Sequence, residues 1–305
     1  MPILQDNRLG ENRVIVTNSN GYPVAVYIQR SNELNLNDIV HGTVVEKLPA
    51  INACFIKTDL GFVFVQQKAP LFIGQGVCVK ITKEARAEKC ADGVLTDSAP
   101  VKASDIAVWL SETLNEPISD WQNGDELLQQ AVQNKIKITE NAELFIEKNR
   151  TCWSIDVDTG TSSFALTNKT AIEIIAREIV LKNLSGLIVV DFAGKKEMSF
   201  KTETVTLLKK ELQSEKNCSI LGFTRGGLLE IRRKREFAPL WDKIGFPEEN
   251  LQTSVFRLLK EISVFNRKAT LVAPPEVIAK IQQHNVFGIA FQSDSSIQPC
   301  QSYLK

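Results

Sequence analysis

Residues 151–192 constrain this chain more than any other stretch. Residues 151–158 are β-rich and of strand length. Within 170–184, Ile172, Ile175, Ala176, Ile179 and Val180 then recur at three- and four-residue spacing, the stripe of a helix. Ser185-Gly186 ends it, with glycine at a helix-stopping position. Residues 187–192 form a continuous apolar run, as in a buried parallel strand. Strand, helix, strand is a β-α-β unit, and such a unit commits its region to a sheet packed by helices.

Further elements extend this unit. Residues 135–139 alternate, 142–147 read as a strand, 201–212 as a second helix and 218–224 as another strand. At the N-terminus, 13–17 and 24–29 are β-rich and Asn18-Ser19-Asn20-Gly21 supplies a hairpin turn. From 37 to 97 the pattern becomes short strands (40–48, 53–58, 61–66 and 76–82) with glycine turns at Asp59-Leu60-Gly61 and Gly74-Gln75-Gly76. About five strands in about sixty residues suit a small closed barrel such as an OB-fold. Residues 104–133 read as helical, broken at Asn115-Glu116-Pro117. Near the C-terminus, 251–264 and 276–283 read as helices and 269–273 and 288–292 as strands. The expectation is a multidomain α+β chain: an N-terminal hairpin (1–33), a barrel (34–98), a helical connector (99–131), an α/β subdomain (132–238) and a small α/β domain (239–305).

Composition removes several function classes. Thirty-six basic residues balance thirty-six acidic ones, which excludes a histone-like protein but leaves room for a local basic stripe. No two of the six cysteines lie within four residues of each other, which argues against zinc knuckles, CxxC redox motifs and a disulfide framework. Reduced thiols in the cytoplasm are the simplest reading. Two histidines exclude a His-rich metal site and leave little material for a Ser-His-Asp triad. Residues 1–13 carry no secretory-signal pattern. The most apolar stretch, 184–192, falls far short of the roughly 20 residues of a membrane span and carries Asp191, so no membrane association is expected.

Three groups of residues carry candidate chemistry. Asp156 and Asp158, two apart near a strand end, share a face, and Asp191 ends the next strand of the β-α-β unit. If those strands are parallel neighbours, the three carboxylates gather at the sheet edge where α/β sheets place ligands. Oxygen ligands without His or Cys suit a hard cation, Mg²⁺ before zinc, and the chemistry would be phosphodiester cleavage. The plainer alternative is turn formation, for which Asp158-Thr159-Gly160 is a good sequence. Phe55, Phe62 and Phe64 fall on the middle barrel strands, either packing a core or offering a platform for nucleic-acid bases. Lys80, Lys83, Arg86 and Lys89 then form a basic segment, and residues 222–235 a second one with Arg225, Arg232, Arg233, Lys234 and Arg235. Each is either a solvated charged stretch, the second as a guarded edge strand, or a phosphate-contacting strip.

At these residues the chain resembles the bacterial ribonuclease E/G family. The resemblance is carried by Ser154-Ile155-Asp156-Val157-Asp158-Thr159-Gly160, by Thr167-Asn168 with Glu173-Ile174-Ile175-Ala176-Arg177, by residues 181–192 with Leu187-Ile188-Val189-Val190-Asp191-Phe192, and by residues 221–235. It is strong over about 132–235 and colinear elsewhere, with 44–55 and 73–96 similar to an S1-type RNA-binding barrel and the C-terminal segment similar to the family's small domain. It implies an endoribonuclease cutting single-stranded RNA, with 34–98 an S1-type OB barrel and 132–238 a DNase I-like catalytic subdomain. The family's two Mg²⁺-binding aspartates match Asp156 and Asp191; Mn²⁺ is a possible substitute. A third family residue, usually Asn, matches Asp158, a departure that adds charge and removes an amide donor. Phe55 and Phe64 match base-packing aromatics, and Lys83 an RNA-contacting lysine. Arg225, Arg232 and Arg235 are candidate phosphate contacts. The family's 5′-monophosphate-sensing insertion and its CPxCxGxG zinc-link have no counterpart, so neither structural zinc nor a zinc-linked dimer is expected. The expected function is RNA processing or decay in the cytoplasm. The rival is an RNA-binding protein of the same family that has lost catalysis, and a DNA-directed nuclease is a distant third.

Overall fold

The computed structural model describes residues 1–66, 70–86, 89–194, 197–244, 255, 258–259, 262, 269–284, 289–296 and 303–304. It is a mixed α+β chain. β1 (Ile3–Arg8), β2 (Glu11–Thr17) and β3 (Pro23–Arg30) form an antiparallel meander. The expected hairpin is β2–β3, and the Asn18 carboxamide oxygen accepts from the backbone N–H groups of Asn20 and Tyr22, 3.0 Å each. The N-terminal unit is larger than a hairpin, because β1 precedes it.

β4 (Ile39–Leu48), β5 (Ala53–Thr58), β6 (Gly61–Gln66), β7 (Gly76–Lys83) and β8 (Ala91–Thr96) close into a five-stranded barrel in the order β4-β5-β6-β8-β7. Val44, Ile56, Val63, Val65, Val79 and Ile81 fill it. Closure demands glycine at 93: a Cβ there would lie 2.4 Å from Val79 Cγ1.

The connector departs from the all-helical expectation. Between α1 (Ile106–Leu114) and α2 (Gly124–Val132) runs a short strand, β9 (Ile118–Asp120), which pairs in parallel with β1. Too short and polar to show a period, it exists because β1 offers it an edge.

β10 (Lys135–Lys137), β11 (Glu143–Lys148), β12 (Cys152–Asp158), β13 (Gly186–Asp191), β14 (Cys218–Phe223) and β15 (Leu229–Arg233) form a six-stranded sheet. Its order is β10-β11-β12-β13-β15-β14. β12 and β13 are parallel neighbours joined by α3 (Phe164–Leu181), and α4 (Met198–Glu211) leads from β13 to β14. α3 begins before the predicted 170 because its buried stripe also includes Thr167 and Asn168. Trp153, Ile155, Val157, Ile188, Val190 and Ile231 pack on Ala171, Ile172, Ile175 and Ile179 of α3. Alternation sends Ser154, Asp156, Asp158, Val189 and Asp191 to the other face. The basic strand β15 is not the guarded edge strand that was one of its two readings. It lies between β13 and β14, and β14 takes the edge.

α5 (Leu240–Ile244) follows. Near the C-terminus, β16 (Ala269–Ala273), α6 (Pro275–Gln282), β17 (Ile289–Ser293) and β18 (Tyr303–Leu304) build a small unit with sheet order β17-β16-β18. The helix predicted over 251–264 lies mostly outside the described residues; Val255, Leu258, Leu259 and Ile262 belong to this unit's buried cluster. Among the described residues no helix is long and apolar enough to cross a membrane.

A buried ionic junction ties three parts together. Lys243 of α5 lies 2.7 Å from Glu33 and 3.1 Å from Glu84, which follows β7. Arg30 of β3 pairs with Glu11 of β2 at 2.7 Å and donates to the Lys243 carbonyl at 2.6 Å. Burial alone would lower the Lys243 pKa, but Glu84 and Glu33 overcome it and raise it. Burial would raise that of Glu33, but Lys243 and Arg30 outweigh this and hold the carboxyl below its ordinary range.

Candidate active site

The parallel register sets Asp156 directly beside Asp191. Neighbouring strands run about 4.8 Å apart, so two carboxylates share one exposed end of the sheet. Asp158, two residues further on, is also exposed and pairs in register with Glu143 of β11. Its Oδ1 accepts from the Gly160 N–H at 2.9 Å. Gly160 is required at that turn, since its φ is +49° and a Cβ would come 2.2 Å from the Asn141 carbonyl oxygen.

Among the described residues no group of three or more His, Cys, Asp or Glu is arranged to hold a metal ion. Asp156 and Asp191, the expected metal pair, stand in register, and Asp158, expected to assist them, shares their face with one oxygen held by the Gly160 N–H. The donor set still fits Mg²⁺, which keeps several waters and takes as few as one or two carboxylates.

Asn168 supports this edge and was not singled out from sequence as a functional residue. It is 4% exposed, its Nδ2 donates to the Ala193 carbonyl at 2.9 Å, and its Oδ1 accepts from the Ala193 N–H at 3.3 Å. It thereby fixes the chain just after Asp191. An asparagine on the buried stripe of a helix was the available signal, since a buried amide needs partners.

The barrel aromatics face outward, which overturns core packing as their role. Cys54, Ile56, Val63 and Val65 occupy the interior, so Phe55 and Phe64 project from the other side of β5 and β6. They are cross-strand partners with ring centroids 5.6 Å apart and edge-to-face at 62°. Phe62 is 50% exposed.

The basic residues divide. Arg225 and Arg232 are exposed. Arg233 pairs with Glu215 at 2.9 Å. Arg235 is corrected as a phosphate contact: its buried side chain lies 3.2 Å from Asp92 and joins the sheet to the barrel. Lys83 meets the same Asp92 at 2.5 Å but stays partly exposed. Arg86 reaches from the barrel toward the start of β13, with Nη1 within 3.7 Å of where a Gly186 Cβ would stand.

The profile of the Ribonuclease E/G family matches residues 77–236, from the last two barrel strands through the whole six-stranded sheet. The match takes in just over half of the chain, and the chain belongs to this family. Ribonuclease G of Salmonella typhimurium (strain SL1344) is 28% identical over 130 residues, 40% of this chain and 27% of that protein. Ribonuclease G of Haemophilus influenzae is 29% identical over 149 residues, 46% of this chain and 30% of that one. A chloroplastic Ribonuclease E/G-like protein of Arabidopsis thaliana is 30% identical over 130 residues, 39% of this chain and 13% of that one. The aligned part spans less than a third of each relative's length.

Proposed function

We propose that this protein is a Mg²⁺-dependent endoribonuclease acting on single-stranded RNA in RNA processing or decay, in the cytoplasm. The observation that carries the proposal is the in-register pair Asp156 and Asp191 at an exposed sheet end, inside the segment that matches the family. Residues 34–98 act as an S1-type OB barrel and 132–238 as a DNase I-like catalytic subdomain. Asp156 and Asp191 hold the cation, with Mn²⁺ able to replace Mg²⁺. When bound, the cation neutralises phosphate charge and activates water. Asn168 keeps Asp191 in place by anchoring Ala193. Asp158 sits where its free oxygen can orient the attacking water.

Phe55 and Phe64, with Phe62 beside them, offer stacking surface to unpaired bases, which favours single strands over duplex. Lys83, Arg225 and Arg232 hold phosphates. Water, rather than a side chain, attacks phosphorus.

The test is cleavage of a labelled A/U-rich single-stranded RNA across a Mg²⁺ titration. Asp156→Asn and Asp191→Asn are each expected to lower the rate at least about a hundredfold, the scale of several kcal/mol of charge stabilisation. One observation favours a second reading, an RNA-binding protein without catalysis. Asp158 stands where the family usually has Asn, and one of its oxygens is held in a turn. RNA binding that survives Asp156→Asn, with no cutting by either form, decides for that reading.

A further inference from the structure

At the far end of β12 and β13 from the carboxylates, a small cleft of about 20 Å³, open to solvent, lies between barrel and sheet. Arg86 enters it from the barrel. Lys148 and Arg150 come from the β11–β12 turn, and Ser185 from the turn before β13. Among the described residues no acidic one lines it. Lys148 is matched by Asp242 at 2.5 Å. Among the described residues Arg86 and Arg150 have no ion-pair partner, so the cleft carries net positive charge.

A buried donor adds a second, independent observation. Ser185 is 2% exposed and its Oγ has no hydrogen-bond partner. Buried polar atoms are almost always satisfied, so an orphaned donor in a basic setting marks a place for an acceptor. Two guanidiniums and a hydroxyl match the oxygens of a phosphate, to which arginine donates in a fork.

We propose that this cleft binds a backbone phosphate of the RNA strand. Arg86 and Arg150 supply the charge and Ser185 Oγ a third donor. The site rests on the nuclease reading and gives the substrate a second anchor. Cys152 at the cleft and Asp156 are four residues apart on β12, about 13 Å along the strand. A single strand crossing both sites would therefore be held taut at the scissile position.

The test measures binding of a fluorescent single-stranded A/U-rich RNA by anisotropy, in EDTA to prevent cutting, over a range of salt. Arg150→Gln and Arg86→Gln, at accessible positions, are each expected to weaken binding about tenfold. Losing one phosphate contact lowers the salt slope by about 0.7 on a single strand. Ser185→Ala is expected to weaken binding less and leave the slope unchanged. Wild-type affinity and slope in Arg86→Gln and Arg150→Gln alike would overturn the proposal. A second arm adds inorganic phosphate alone and records melting temperature. Stabilisation that Arg150→Gln abolishes, with RNA affinity unchanged, assigns the cleft to a free anion and overturns the RNA assignment. A wild-type protein that never cuts but binds RNA through Arg150 retains this site and loses the nuclease reading. One that cuts RNA and is indifferent to Arg150→Gln does the reverse.

Discussion

Two of the charge clusters in this molecule are built in opposite ways. At the junction of Arg30, Glu33, Glu84 and Lys243, charges of both signs are matched within hydrogen-bonding distance, all of them buried but the partly exposed Glu33. At the ends of β12 and β13, charges of one sign are exposed and set side by side by the sheet. A buried charge persists in a fold only with its counter-charge, so the first cluster is complete without a ligand. Adjacent like charges work against the sheet that holds them, so the second gains from a bound cation. Burial within the fold marks the first cluster as architecture, and exposure at a sheet edge marks the second as a candidate site.

The contrast can be broken in three places. The largest effect belongs to Lys243→Met, which leaves Glu84 buried without its cation and Glu33 with Arg30 alone. It is expected to cost about 3–5 kcal/mol, read by denaturant unfolding. Glu33→Gln is expected to cost about 1.5–3 kcal/mol at neutral pH, the scale of a hydrogen bond to a charged group. That cost depends on pH with a definite sign. The Glu33 carboxyl is held below its unfolded value of about 4.3, so its contribution is present above that pH. It fades as pH falls through the lower, folded value, and wild type and Glu33→Gln should converge in acid. The smallest effect is Asp156→Asn, whose exposed position limits the change in stability to about 1 kcal/mol in either direction. A loss as large as that of Lys243→Met would make the aspartates part of the architecture and remove the contrast.

The β-α-β unit and the Asp156–Asp191 pair were legible because their signals are local: a helical stripe, an apolar run, and carboxylates at strand ends. What escaped depends on partners distant in sequence. β9 exists through β1, more than a hundred residues earlier. Nothing within 229–233 says whether that strand is inner or outer; that depends on β13. On β6 both faces are apolar, Val63 and Val65 on one and Phe62 and Phe64 on the other, so alternation could not tell core from surface. Arg235 reads as a phosphate contact until the barrel brings Asp92 to it. The spacing of Asp158 gave its face correctly, and the turn it serves was the alternative already visible in Asp158-Thr159-Gly160.

The parallel pairing of β12 and β13 also has a consequence in time. Asp156 and Asp191 are separated by a whole helix, and nothing brings them together until that crossover has closed. Non-local parallel pairing is among the slower events of folding. During synthesis, a ribosome-bound chain ending before residue 191 has one of the two aspartates and nowhere to place the other. A chain built this way cannot set its two carboxylates side by side until its central sheet has formed.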